Sequence, residues 1–145
     1  MRVICVFVLV LMGCRPSNQI GELVGVINER PLEGTVWLLI ELNGKPIAPI
    51  EDQKSLFVIF QSEEKRVNGF GGCNSFTGSF TTSGSTINAT LASTRMFCEG
   101  RMEVETEFMN LWSTSHKYKM EGSHLHLKNK GKIVAKFIAQ IKTNG

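Results

Sequence analysis

The spacing of apolar and polar positions divides the chain into three stretches. The first is an unbroken apolar run, Val3-Ile4-Cys5-Val6-Phe7-Val8-Leu9-Val10-Leu11, behind the positive start Met1-Arg2. The second, residues 15–31, has no steady period and mixes Pro16, Gly21, Gly25 and Pro31 with scattered charges. One apolar patch, Leu23-Val24-Gly25-Val26-Ile27, interrupts it and could dock or add an edge strand. The third stretch, from Thr35 onward, reads as short β-strands separated by turn residues. Residues 35–42 are apolar and β-branched and end at Asn43-Gly44, a strong tight-turn dipeptide. Pro46 and Pro49 then break regularity before a second strand at 56–60, with apolar side chains on both faces. Further strands are predicted over 66–70, 76–81, 85–89, 117–120, 124–128 and 133–139. In 76–80 the alternation places Phe76, Gly78 and Phe80 on one face.

The period changes once. Residues 101–113 contain no Gly or Pro, and Val104, Phe108, Leu111 and Trp112 recur at helical spacing, with Glu103 and Glu107 on another side. This predicts one amphipathic helix over about residues 100–114. The fold class follows: α+β but mainly β, an antiparallel barrel-like sheet of short strands with the helix packed on or plugging one side.

The N-terminal run matches the h-region of a secretory signal and is too short to cross a membrane. It closes with Leu11-Met12-Gly13-Cys14, which resembles the bacterial lipobox, although Met12 is bulkier than is usual there. That resemblance implies cleavage after Gly13 and acylation of the Cys14 thiol. The expected organisation is therefore a signal peptide at 1–13, a lipidated Cys and tether at 14–31, and a domain at 32–141. The lipid would attach the protein to a membrane. Arg15, where an Asp would favour retention at the inner membrane, implies the outer membrane in a diderm host. Removing residues 1–13 leaves 132 residues and takes away Arg2, so the formal charge falls from +3 to +2. That length suits one domain with a real core. So small a charge, with no basic stripe, gives no argument for a nucleic-acid partner.

Residues 68–80, Asn68-Gly69-Phe70-Gly71-Gly72-Cys73-Asn74-Ser75-Phe76-Thr77-Gly78-Ser79-Phe80, resemble the signature of the META domain, the HslJ-like family of small bacterial envelope proteins. The pattern continues with Ile87 and Leu91-Ala92, then Thr94-Arg95-Met96-Phe97-Cys98, then Glu105, Phe108 and Trp112 at helical spacing. Two departures are small: Phe80 stands where Tyr is common, and Phe97 where a small residue is usual. The resemblance covers about residues 32–139. It implies a barrel-like sheet with a helix, reminiscent of the cracked barrel of a type III secretion pilotin. It also implies a noncatalytic role in envelope stress tolerance, with no catalytic residue to carry over. The signature residues, given as structural, are Gly72, Asn74, Gly78, Thr94, Arg95, Met96 and Phe108.

Cys73 and Cys98 remain once Cys5 and Cys14 are assigned, the protein is read as exported, and the family's two cysteines vary together. The expectation is a disulfide closing a 26-residue loop, worth about 3.5 kcal/mol in chain entropy. Two buried free thiols are the alternative. A redox-active pair is disfavoured because no Cys-x-x-Cys arrangement is present.

Other candidate chemistry is weaker. Gly69-Phe70-Gly71-Gly72 leads into a strand, whereas phosphate-cradling loops open into a helix. Sharp bending or close backbone approach explains these glycines better, with Asn74 satisfying backbone groups in the bend. On a strand, His124 and His126 share one face and Leu125 and Leu127 enter the core. A metal site would need a third ligand such as His116, and metal-free histidines are the commoner case. Met96, Met102, Met109 and Met120 read as core filler. No cofactor is expected. The partners expected are a membrane, through the lipid, and an envelope protein or an apolar ligand. The functional alternative is a carrier or pilotin-like chaperone that takes an acyl chain or peptide into an apolar barrel groove.

Overall fold

A computed structural model describes residues 29–48 and 54–140. The residues expected to form the signal peptide, Cys14, most of the expected tether and the 23–27 patch lie outside the described residues. Nine strands follow in order: β1 Val36–Leu42, β2 Lys45–Pro46, β3 Phe57–Phe60, β4 Arg66–Phe70, β5 Ser75–Ser83, β6 Thr86–Ser93, β7 His116–Glu121, β8 His124–Asn129 and β9 Lys132–Ala139. The one α-helix among the described residues, α1 (Met102–Leu111), enters between β6 and β7. All pairings between strands are antiparallel, and β9 returns to β1. The result is an eight-stranded closed barrel with β2 as a short hairpin partner of β1 at Asn43-Gly44. The expected fold class therefore holds.

Alternation explains why the sheet closes around one core. Along β3 and the residue before it, Leu56, Val58 and Phe60 point inward, while Phe57 and Ile59 lie half-buried on the outer face. Leu125 and Leu127 on β8 are fully buried, as the predicted pleat requires. The helix completes the interior. Phe108 lies 5.8 Å from Phe76, 6.2 Å from Trp112 and 6.3 Å from Phe137, centroid to centroid. Phe60 adds contacts to Phe80 at 5.0 Å and to Trp112 at 5.8 Å. These rings, with Trp37, fill the barrel as a solid aromatic core, and each buried ring of this size contributes roughly 1.5–3 kcal/mol. No helix among the described residues is long and apolar enough to span a membrane.

Boundaries differ most from expectation in the helix and in β6. The helix spans Met102–Leu111, shorter at both ends than the predicted 100–114. β6 runs to Ser93, four residues past its predicted end, because β5 pairs with it in unbroken register from Phe76↔Ser93 to Ser83↔Thr86. Residues 90–93 (Thr-Leu-Ala-Ser) are held by that partner rather than by an apolar alternation of their own. The β6–β7 seam is the thinnest in the barrel, with only Thr86↔Lys117 and Ile87↔His116 in register.

Candidate functional site

The signature residues converge on one loop and one helix face. The bend at Gly71-Gly72-Cys73-Asn74 closes on itself, with the Gly71 N–H donating to the Asn74 carbonyl at 2.8 Å. Gly72 has φ +121, a conformation that a side chain resists. From α1, the Glu105 carboxylate, buried at 6% exposure, accepts the backbone N–H of Cys73 (2.8 Å) and of Asn74 (2.6 Å). Its second oxygen accepts the Asn74 side-chain amide at 2.6 Å. One turn earlier, at the cap that precedes the helix, Arg101 donates through Nη1 to the Gly72 carbonyl at 3.0 Å, while its Nε is buried without a partner among the described residues. An i, i+4 pair of opposite charge thus grips both polarities of one backbone bend.

Asn74 passes that order to the next segment. Its Oδ1 accepts the Thr94 hydroxyl (2.8 Å) and the Met96 N–H (2.7 Å), and its Nδ2 donates to the Met96 carbonyl (3.1 Å). The expectation that Asn74 satisfies its own bend is therefore corrected: it reaches across to residues 94–96. Cys73 and Cys98 form the expected disulfide, with a Cα–Cα distance of 5.7 Å, and so tie the end of the same segment to the same bend. Free thiols are excluded. Gly78 belongs to the neighbouring β5–β6 contact, where an added Cβ would lie 1.9 Å from the Thr90 carbonyl oxygen. Phe108 anchors α1 in the core beneath the network.

The segment so pinned carries an unusual surface. Met96 is 59% exposed and Phe97 82% exposed, with Arg95 beside them. Met96 is therefore not core filler; Asn74 holds its backbone at the surface and leaves its side chain to solvent. Met109 and Met120 do pack, half-buried, against the core. Two adjoining hollows follow from this loop along α1. One of about 420 Å³ lies among Asn74, residues 93–97, Met102, Glu105, Thr106, Met109 and Asn110. The other, about 440 Å³, lies between residues 88–91 of β6 and Met109, Trp112 and Ser113. They share Met109 and make one groove between the edge of β6 and the helix.

Other predicted chemistry does not assemble. The amides of Cys73 and Asn74 are occupied by Glu105, so the glycine-rich bend is not a free anion cradle. His124 and His126 sit together on the outer face, 6.2 Å apart between ring centres. His116 points inward, where its Nε2–H donates to the Leu111 carbonyl and closes the helix C-terminus. It cannot join the other two, and no group of three potential metal ligands occurs among the described residues. His126 is held below the ordinary imidazole value mainly by burial, against the pull of Glu121, which sits 3.0 Å away. The Glu121 carboxyl is lowered by the hydrogen bond from Lys119.

An apolar recess of about 260 Å³ lies elsewhere, among Leu38, Ile40, Ile47, Leu56, Val104 and Ile138. Sequence reasoning missed Arg101 as a structural group and gave Glu105 no role. The available signal was a carboxylate at an apolar phase of the helix, three residues before Phe108 and four after a cation.

Comparison with known proteins places this geometry. An NMR structure of a protein from Burkholderia xenovorans shares the fold with a TM-score of 0.60 at 20% identity, over 77% of this chain and 85% of that one. A second NMR structure aligns with a TM-score of 0.57 at 22% identity, over 72% of this chain and 88% of the other. Identities this low establish the fold alone. Among curated proteins no sequence matches significantly. The family model of the META domain, which is not a known enzyme family, matches residues 30–141. With its barrel, its plugging helix and its Gly-Cys-Asn bend, the chain belongs to the META domain family.

Proposed function

We propose that this chain is a lipid-anchored, noncatalytic binding module of the bacterial envelope that supports the cell under envelope stress. One observation carries the reading: Met96 and Phe97 stand exposed on a loop that a disulfide and the Asn74 hydrogen bonds hold rigid. Exposed apolar side chains next to a groove favour association with a partner, and a rigid mount lowers the entropy lost on binding. The barrel interior, filled among the described residues by packed aromatic side chains, supports a surface role. The Leu11-Met12-Gly13-Cys14 pattern supports the anchor, and the family resemblance supports the stress role.

The carrier reading is second. The apolar recess beside β1 and α1 favours it, but at about 260 Å³ it falls below the ~300–1,000 Å³ of typical small-molecule sites. Native mass spectrometry of protein taken gently from its own membrane separates the two. The expected species is the chain from Cys14 with an acyl mass, a closed disulfide and a bound protein or peptide. A mature chain without the acyl mass removes the anchor. A stoichiometric small lipid beyond the anchor replaces the module with the carrier.

A further inference from the structure

We infer that the free edge of β6 accepts an extended peptide segment of a partner protein as an added β-strand, lying in the groove beside α1. This rests on the binding-module reading and specifies its site and its partner's chemistry. The evidence begins with register. β6 pairs with β5 along its whole length, but with β7 only at Thr86 and Ile87. Residues 88–93 therefore have β5 on one edge and, among the described residues, no strand on the other.

Parity identifies the unpaired groups. The Thr94 N–H donates to the Ser75 carbonyl on the β5 side, and the β5–β6 register is unbroken. On the other side, the Tyr118 N–H donates to the Ser85 carbonyl. Alternation then turns the N–H and C=O groups of Ala89, Leu91 and Ser93 away from β5, toward the groove. No hydrogen bond among the described residues joins α1 to β6. Six residues of strand give roughly 20 Å of edge, enough for a segment of about six residues.

The composition of this edge agrees. Unpaired edges in monomeric proteins are usually blunted by Lys, Pro or inward charges. The strand TINATLAS carries none of them, and its outward residues Asn88, Thr90 and Ala92 are small and uncharged. At the far end stand Met96 and Phe97, apolar and exposed, where a bound strand's apolar side chain would rest. A second copy of this chain fits less well, because its own α1 flanks the same edge and the two helices would meet in the groove. A segment without its own sheet has no such obstacle. The partner segment is therefore extended, largely uncharged, rich in β-branched residues, and bears an apolar side chain toward Met96 and Phe97.

The test is to pan a display library of random nonapeptides on the full mature chain with its disulfide intact. Hydrogen exchange is then measured with a synthetic enriched peptide. The expected result is at least tenfold slower exchange of the Ala89, Leu91 and Ser93 amides on binding. N-methylating the peptide backbone at alternate positions should weaken binding at least tenfold in one phase and little in the other, since one edge of the peptide pairs. Phe97→Ser, on an exposed side chain, should weaken binding about tenfold. An empty selection, or enriched peptides that leave the three amides exchanging as in the free protein, would overturn the inference. In the second case a peptide binds elsewhere, and the binding-module reading survives. Protection that grows with protein concentration without peptide also overturns it, by placing a second copy on the edge.

Discussion

Replacing Glu105 with Gln isolates the central hydrogen-bonded network with little change of shape. The carboxylate accepts three hydrogen bonds at 2.6–2.8 Å, all buried. In Glu105→Gln, the amide oxygen can keep the Cys73 and Asn74 backbone N–H groups as neutral bonds, each weaker by ~0.5–1 kcal/mol than its charged form. The new NH₂ then faces the Asn74 Nδ2, donor against donor, so the third bond is lost at a cost of about 1–1.5 kcal/mol. Rotating the Asn74 amide does not repair this, because its Oδ1 would leave the Thr94 hydroxyl and the Met96 N–H. The expected loss is about 3 kcal/mol, or roughly 12 °C in Tm for a domain of this size. Urea unfolding of the oxidised protein, monitored by tryptophan fluorescence, measures it. Glu103→Gln, on an exposed position of the same helix, should change stability by less than about 0.5 kcal/mol. A loss below ~1 kcal/mol in Glu105→Gln, with the disulfide intact, would refute the claim that this carboxylate holds the bend.

Gly78→Ala would place a Cβ 1.9 Å from the Thr90 carbonyl oxygen and should cost about 3 kcal/mol in chemical denaturation, whereas a neutral result would mean that β5 and β6 can separate freely. Substituting Ser at both Cys73 and Cys98 should lower stability by about 3.5 kcal/mol, read as a shift in the urea midpoint. His126 has a folded pKa below its unfolded value, so the unfolded chain binds more protons as the pH falls. Its contribution is therefore neutral above about pH 6.5 and destabilising as the pH drops from there toward the folded value. His126→Gln should flatten that part of the stability–pH curve, and an unchanged curve would count against the burial of the ring.

Much of the fold was legible because its signals are local. The alternation in His124 to Leu127 places inward the two leucines that the barrel buries, whereas Leu56 to Phe60 is apolar on both faces and only the folded sheet shows which side is core. The helix announces itself by Val104, Phe108 and Leu111. Legibility fails where a partner decides the outcome. Residues 90–93 have weak strand character and are ordered by β5. Arg101 has no reading in the sequence and Glu105 enters only as a position of the family pattern, because only the folded chain brings the Gly72 carbonyl and the Cys73 amide to them. Met96 looks like any core methionine until Asn74 fixes its backbone outside. The groove lies beyond sequence reading altogether, since a free strand edge is a property of pairing topology and not of residue type.

Site-specific photo-crosslinking in living cells tests the central claim most directly, that binding occurs on the surface around Phe97 and β6. Benzoylphenylalanine is placed at Phe97 in one strain and, as a control, at Ile133 on β9, three strands round the barrel from β6, itself 36% exposed. Irradiation of the Phe97 strain should give a discrete protein adduct whose cross-linked peptide is an extended, largely uncharged segment, while the Ile133 strain does not give it. The same adducts from both positions, or none from Phe97 beyond background, would contradict the account.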